Sequence, residues 1–242
     1  VNKTAIEYAD YTWNPVTGCL GPNADGRPCS YCYANRLAHG RLKPLYLSHR
    51  MAFAGDARNP FAPRFWRNRL EEPLHLREPS TIFVCNMADL FGPWVERLTQ
   101  DLIFHIVRHC PWHTFLFLTK WPHRLSLFSP WPENAWVGAT ATEGPMASYT
   151  VGDLRNVDAP VRYLSLEPLR GHIDGPFLEG LDWVIIGAQT GPGAVKPRDE
   201  WVSELLCYAD HYEIPVFLKD NLHWPTVIRQ RPTPKKEPTH AT

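Results

Sequence analysis

The sequence predicts an α/β fold, a partial (β/α) barrel of parallel strands, on three observations. Six short runs rich in β-branched and aromatic residues recur along the chain: TIFVCNM at 81–87, HTFLFLTK at 113–120, NAWVGAT at 134–140, VRYLSLE at 161–167, DWVIIGA at 182–188 and IPVFLKD at 214–220. Their interiors are almost wholly apolar, as in strands covered on both faces, and lack the alternation of a half-exposed antiparallel sheet. Helix-like segments lie between them, and strand–helix alternation builds either a complete or partial barrel or an open doubly wound sheet.

Taken in order, a short strand-like run, AIEYADYTWNP, precedes a loop carrying three cysteines, and SYCYANRLAHGRL beyond it reads as helix. VERLTQDLIFHIVRHC at 95–110 places Leu98, Leu102, Ile103, Ile106 and Val107 at the spacing of one helix face. HRLSLF reads as a short helix and DEWVSELLCYADHY at 199–212 as a longer one, whereas residues 133 to 160 are less regular outside their strand. The tail RQRPTPKKEPTHAT is Pro- and Lys-rich, a composition that stays disordered. The expectation is one domain over residues 1–225, with a cysteine loop at 18–33, a basic insertion at about 40–78 and a disordered tail at 226–242.

The chain has 242 residues, 44% hydrophobic and 21% charged, enough to bury a sizeable core. Lys and Arg number 25 and Asp and Glu 25, which excludes a whole-molecule field for nucleic acid and makes any basic site local. No apolar run approaches the roughly 18 to 20 residues of a membrane span, and VNKTAIEYAD carries no apolar leader region. A cytoplasmic chain without a membrane partner is expected.

The six cysteines form two groups. Cys85, Cys110 and Cys207 stand singly in a strand-like run and on apolar helix faces, where free thiols behave as small hydrophobes. Cys19, Cys29 and Cys32 fall within one Gly- and Pro-rich stretch, the last two as C-x-x-C, a pattern that points to metal or redox chemistry. A closed zinc site wants four ligands, so His39, His49 or a distant residue would have to complete it. An iron–sulfur cubane on three cysteines instead leaves one iron open to a small molecule. Spacing alone weighs these two equally.

TWNPVTGC at 12–19, followed by PCSYCYANR at 28–36, resembles the cluster loop of radical S-adenosylmethionine (SAM) enzymes, in which the last two cysteines enclose two residues and the second is aromatic; here it is Tyr31. The wording is especially similar to the group around spore photoproduct lyase. TWNPVTGC, MADLFGPWV at 87–95, LTKWPHRL at 118–125, SLEPLRG at 165–171 and IIGAQTGPGA at 185–194 resemble, in order, a phage-associated, radical-SAM-like family with a three-cysteine motif. Two features depart from the pattern. Nine residues separate Cys19 from Cys29 where most radical SAM enzymes have three, and Gln189 stands where the family carries an acid.

The resemblance implies a radical-SAM-like barrel in which Cys19, Cys29 and Cys32 hold a [4Fe-4S] cluster and SAM chelates its open iron. An electron from a reducing donor then cleaves the sulfonium, and a 5′-deoxyadenosyl radical abstracts a hydrogen atom. Barrel chemistry sits at the C-terminal strand ends. On that basis Tyr31, Asn86, Asp89, Thr140, Glu143, Gly187 and Gln189 are the expected cofactor contacts. Lys120, Glu167 and Lys219 are the charged strand-end residues expected to face substrate as catalytic groups.

From Arg27 to Arg69 the chain has nine Lys and Arg against the single acid Asp56, interleaved with Tyr46, Phe53, Phe61, Phe65 and Trp66. Guanidinium groups and aromatic rings together neutralise phosphates and stack on bases. Arg64, Trp66, Arg67 and Arg69 are the expected substrate contacts, and nucleic acid or a nucleotide is the expected substrate, for modification or lesion repair by a lyase or transferase. The competing reading is a zinc-stabilised nucleic-acid-binding protein without catalysis.

Overall fold

The computed structural model describes residues 1–22 and 26–233. The chain divides into two compact units, Val1–Trp121 and Pro122–Thr242.

In the first unit the strands are β1 (Asn2–Lys3), β2 (Tyr11–Trp13), β3 (Val16–Thr17), β4 (Arg64–Phe65), β5 (Thr81–Val84) and β6 (Thr114–Thr119), and the helices are α1 (Tyr33–His39), α2 (Lys43–Ser48) and α3 (Arg97–His109). The sheet order is β1-β2-β5-β6. β2, β5 and β6 run parallel, with Trp13 opposite Val84 and Ile82 opposite Phe115, and β1 is an antiparallel edge. β3 and β4 make a separate antiparallel pair. α3 buries Ile103, Phe104, Ile106 and Val107 as its periodicity requires, but Leu98 is 67% exposed and Thr99 and Gln100 take its place inside. Gln100 tolerates burial because its Nε2 donates to the Leu90 carbonyl at 2.9 Å.

The second unit contains β7 (Ala135–Thr140), β8 (Val161–Leu166), β9 (Trp183–Ile186) and β10 (Val216–Leu218), all parallel in the order β7-β8-β9-β10, with α4 (Gly144–Arg155) and α5 (Asp199–His211). Every residue of β7 is buried, the arrangement its continuous apolar run predicts. α4 corrects the reading of 133 to 160 as irregular. Pro145 sits in its first turn, where a missing N–H costs nothing, and Ala147, Thr150, Val151 and Leu154 form the buried stripe. HRLSLF lies within a 3-10 helix, Pro122–Phe128. The tail is ordered at its start: Ile228 and Gln230 exchange backbone bonds with Leu218 and Val216 at 2.9 and 3.0 Å. Residues 234–242 of that expected tail lie outside the described residues.

Side chains alternate between the two faces of a strand, so the register of β7–β10 sorts the second unit's residues. Trp136, Tyr163, Trp183 and Phe217 meet on one face, Trp183 lying 5.7, 5.6 and 6.2 Å from the other three rings. Two residues further along each strand, the same face carries Ser165 and Ile185; beyond these it carries Glu167, Gly187 and Lys219. An aromatic floor thus lies at the strand starts and polar groups at the strand ends. The fold class is the expected one, α/β with parallel strands linked by helical crossovers. Among the described residues, no helix is long and apolar enough to cross a membrane.

Candidate functional site

Cys19, Cys29 and Cys32 are free, partly exposed thiols on the approach to α1. Cys32 is the N-cap of α1, its extended backbone letting Sγ accept the N–H of Asn35 at 3.3 Å. Sγ of Cys19 accepts the N–H of Gly21 at 3.1 Å. Cys19 and Cys32 pack against a cluster formed by Ala34, Ala38, Tyr46, Phe61, Trp66 and Met87. Burial pushes both thiols above the ordinary thiol range; Asp89 raises Cys19 further, and Lys120 acts on both in the opposite direction. Among the lesser causes, the charge of Cys32 raises Cys19 and that of Cys29 raises Cys32. Among the described residues no three His, Cys, Asp or Glu side chains already converge at metal-holding distance. The donor chemistry nevertheless fits an iron–sulfur cluster. Cys19 and Cys32 line an apolar wall and accept N–H bonds that suit a thiolate, burial leaves these two protonated until a cation replaces the proton, and Cys29 adds a third soft donor.

The nine-residue gap is shorter in space than in sequence. Gly21 has φ +81°, and a Cβ placed there would lie 1.8 Å from the Arg27 carbonyl oxygen. The backbone therefore touches itself at 21 and 27. On the path that skips the excursion, only Leu20, Gly21, Arg27 and Pro28 separate the first two thiols.

Cys85 lies apart from the loop thiols by environment: it is buried, its sulfur takes the N–H of Val16, and burial pushes it up to about 12, with Asp89 a lesser cause. Cys110 is buried at the end of α3, and Cys207 is exposed on α5 in the other unit.

The end of β5 supplies the next residues. Asn86 accepts from Asn14 Nδ2 at 2.7 Å and donates to the Tyr33 hydroxyl at 3.2 Å, and that hydroxyl donates to the Asn86 carbonyl at 2.6 Å. This network ties the first turn of α1, and with it Cys32, to the sheet. Asp89 was expected to touch SAM, but both of its oxygens are engaged: Oδ1 accepts from Thr119 at 2.6 Å and from the Phe91 N–H at 3.2 Å, and Oδ2 from the Lys120 N–H at 2.9 Å. It is buried, and desolvation raises its pKa against those bonds. Asp89 is better described as the staple that fixes the end of β6. Lys120, just beyond β6, reaches over the Tyr31 ring at 5.8 Å.

In the second unit Glu167 and Lys219 form an ion pair, with side chains 23% and 14% exposed. They lie over Gly187, where an added Cβ would meet Lys219 Cδ at 3.0 Å and Glu167 Cγ at 3.1 Å. Before them on the strands Thr140 and Ser165 are register partners, both buried, and the Ser165 hydroxyl has no hydrogen-bond partner among the described residues. Asn221 holds Ala188 by both its N–H and its carbonyl, at 3.0 and 2.8 Å, which places the half-buried Gln189. Glu143 does not join this group. It is exposed at the N-cap of α4, and its carboxylate caps nothing.

A family profile described as "Protein of unknown function (DUF5131)" matches residues 3–240. The chain belongs to the DUF5131 family. No curated protein sequence matches it. In fold it is similar to spore photoproduct lyase complexed with dinucleoside spore photoproduct, with TM-score 0.52 and 11% identity over 90% of this chain and 78% of that one. A cysteine-to-alanine mutant of the lyase with the same dinucleoside gives TM-score 0.52 at 12% identity over the same shares, 90% and 78%. At these identities the likeness is one of fold.

The basic segment of the DUF5131 chain departs most from expectation. Arg64 is fully buried, not a phosphate contact. Its Nε donates to His49 O at 3.0 Å, Nη1 to Ala62 O at 2.8 Å and Pro60 O at 3.3 Å, and Nη2 to Ala57 O at 2.6 Å and Asn59 O at 3.0 Å. Trp66 is likewise core: its Nε1 donates to Thr17 Oγ1 at 2.8 Å, and Tyr46 and His49 pack on its ring. Arg69 stacks over Trp66 at 4.0 Å and is half-buried, which lowers its pKa. Arg67 alone of the four is fully at the surface. Sequence reading passed over Asn14 and Tyr33, both inside quoted motifs, and Ser165, which strand parity with Glu167 would have singled out.

Proposed function

We propose that this DUF5131 chain is an iron–sulfur, SAM-dependent radical enzyme acting on nucleic acid or a nucleotide, in modification or lesion repair. The observation that carries the reading is the trio of unpaired thiols at the start of α1, two of them accepting backbone N–H bonds, on a chain with the fold of spore photoproduct lyase. Cys19, Cys29 and Cys32 would hold a [4Fe-4S] cluster, which when bound supplies the electron that cleaves SAM; a reducing partner must replenish it. The chain's own residues perform the rest. The wall of Tyr46, Phe61, Trp66 and Met87 covers one side of Cys19 and Cys32. Lys120 offsets the negative charge of the thiolates. Asn86, Asn14 and Tyr33 fix the loop, and the Asp89 staple fixes Lys120. In the second unit the Glu167–Lys219 ion pair presents a carboxylate and an ammonium at the strand ends, with Glu167 two residues beyond the buried Ser165 on the same strand face.

Anaerobic reconstitution tests this reading. The protein should become brown with about four irons per chain. Alanine at Cys19, Cys29 or Cys32 should abolish that content, while Cys207→Ala keeps it. With dithionite and SAM, the loaded protein should release 5′-deoxyadenosine. A colourless protein holding stoichiometric zinc, or equal iron loss in Cys207→Ala, would overturn the assignment.

A further inference from the structure

With Arg64 and Trp66 inside the protein, the surplus of positive charge needs a new location. Between Gly26 and Gly55 there are five Lys and Arg (Arg27, Arg36, Arg41, Lys43 and Arg50) and no Asp or Glu. All five are exposed. The next acid, Asp56, is already engaged by Arg58 at 2.9 Å. In a chain whose charges cancel only as a whole, this is a run of thirty residues with no internal counter-charge.

Local structure gathers these charges. Gly40 closes α1 by donating to Arg36 O at 2.9 Å, Leu42 N–H reaches Leu37 O at 3.0 Å, and Lys43 N–H reaches Gly40 O at 3.1 Å. The chain therefore turns tightly between α1 and α2, with Arg41 and Lys43 in or next to the turn and Arg36 in the last turn of α1. Cations at a helix C-terminus are favourable in themselves, which accounts for Arg36. The same effect reaches Arg41 and Arg50, two residues past the ends of α1 and α2, but it opposes Lys43, which opens α2, and it supplies no counter-ion for any of them. Arg50 follows α2 directly, and the buried Arg64 guanidinium holds the carbonyl of neighbouring His49. One arginine is thus spent inside to set the platform that presents another outside.

We propose that the α1–α2 hairpin, through Arg41, Lys43 and Arg50, is the surface on which this protein binds the phosphate backbone of a nucleic acid. This rests on the nucleic-acid reading above and replaces the Arg64–Arg69 turn as its point of contact. Nucleic acid is favoured over an anionic membrane because the half-exposed Tyr33 ring at the head of the same hairpin offers a stacking face and is anchored by Asn86. The apolar residues exposed there, Leu45 and Met51, are too few for a buried amphipathic face.

The experiment uses the full chain and a fluorescein-labelled single-stranded DNA 12-mer, with anisotropy followed from low to moderate salt. The variant Arg41→Gln/Lys43→Gln/Arg50→Gln is compared with Lys3→Gln/Arg77→Gln/Arg108→Gln, which removes the same charge from exposed positions elsewhere in the first unit. Loss of three phosphate contacts should flatten the slope of log affinity against log salt by about 2 and weaken binding at least roughly tenfold. The comparison variant should follow wild type, and both should keep the wild-type melting temperature. Equal effects in the two variants, or none in the first, would remove the hairpin and leave the nucleic-acid reading standing. Wild-type protein with no salt-dependent affinity for the 12-mer would remove both. Tighter salt-dependent binding to phosphatidylserine vesicles than to the 12-mer would assign the surface to a membrane and overturn the proposal.

Discussion

Replacing Arg64 by leucine should destabilise the first unit without touching a ligand contact. The substitution removes five N–H donors from five backbone carbonyls. Three of those, on His49, Ala57 and Asn59, belong to exposed or half-buried residues and can turn to water. Pro60 and Ala62 are buried, and their carbonyls lose their Arg64 donor with no route to solvent. A buried polar group left unpaired costs about 1–3 kcal/mol, so the two cost about 2–6 kcal/mol. Part of this is offset because a desolvated guanidinium, whose pKa burial already lowers, is no longer carried inside. A net loss of about 3 kcal/mol remains, and for a chain of this size each kcal/mol moves the melting temperature by roughly 2–4 °C. Differential scanning fluorimetry should therefore show a fall of roughly 6–12 °C. Limited proteolysis should show new cleavage between 49 and 63. Arg64→Lys should fall between the two proteins, since one ammonium cannot reach five acceptors. A melting temperature within about 1 °C of wild type, with oligonucleotide binding lost, would mean that the guanidinium works at the surface after all.

Gly21→Ala should impair iron loading more than it impairs folding. The new Cβ cannot coexist with the Arg27 carbonyl, and the positive φ adds about 1–2 kcal/mol of local strain; wild-type iron content in this variant would refute the contact's role. The second expectation concerns pH. His172 Nε2 donates to the Glu204 carboxylate at 2.8 Å, and that bond, with a lesser contribution from Asp174, raises its pKa. Its folded value lies above its unfolded one, so the pair's contribution is complete below the ordinary histidine pKa of about 6.5 and is lost as pH rises through the shifted value. An NMR titration should show the shift in wild type and its reduction in Glu204→Gln, where Asp174 alone remains to raise it. An unchanged midpoint would place the cause elsewhere.

The strands were legible because parallel strands buried on both faces write themselves as continuous apolar runs, and β5 to β10 fall inside the six runs read from the sequence. α4 was hidden by Gly144, Pro145 and Gly152, residues that signal loops unless their place in the helix is known. On α3 periodicity could not separate Leu98 from Gln100, because the choice depends on which carbonyl waits on the other side. The three thiols were legible from their neighbours in sequence. The role of Arg64 was not, since composition is the same for an arginine that faces carbonyls and one that faces solvent. The partners of Asp89 were hidden for the same reason: a strand-end carboxylate looks available until its three donors are seen.

The contact between Gly21 and Arg27 separates two quantities that a motif usually binds together, the count of residues between ligands and the route the backbone takes between them. Once the chain is pinned at that contact, the number of residues between 21 and 27 enters through the entropy of closing the chain there. Doubling such a loop costs only about 0.6 kcal/mol. Drift in that segment is therefore nearly neutral for the thiols, while a single methyl group at position 21 is not. A search for three-thiol loops that counts residues would pass over chains built this way, and one that looks for a glycine two positions after the first cysteine would find them.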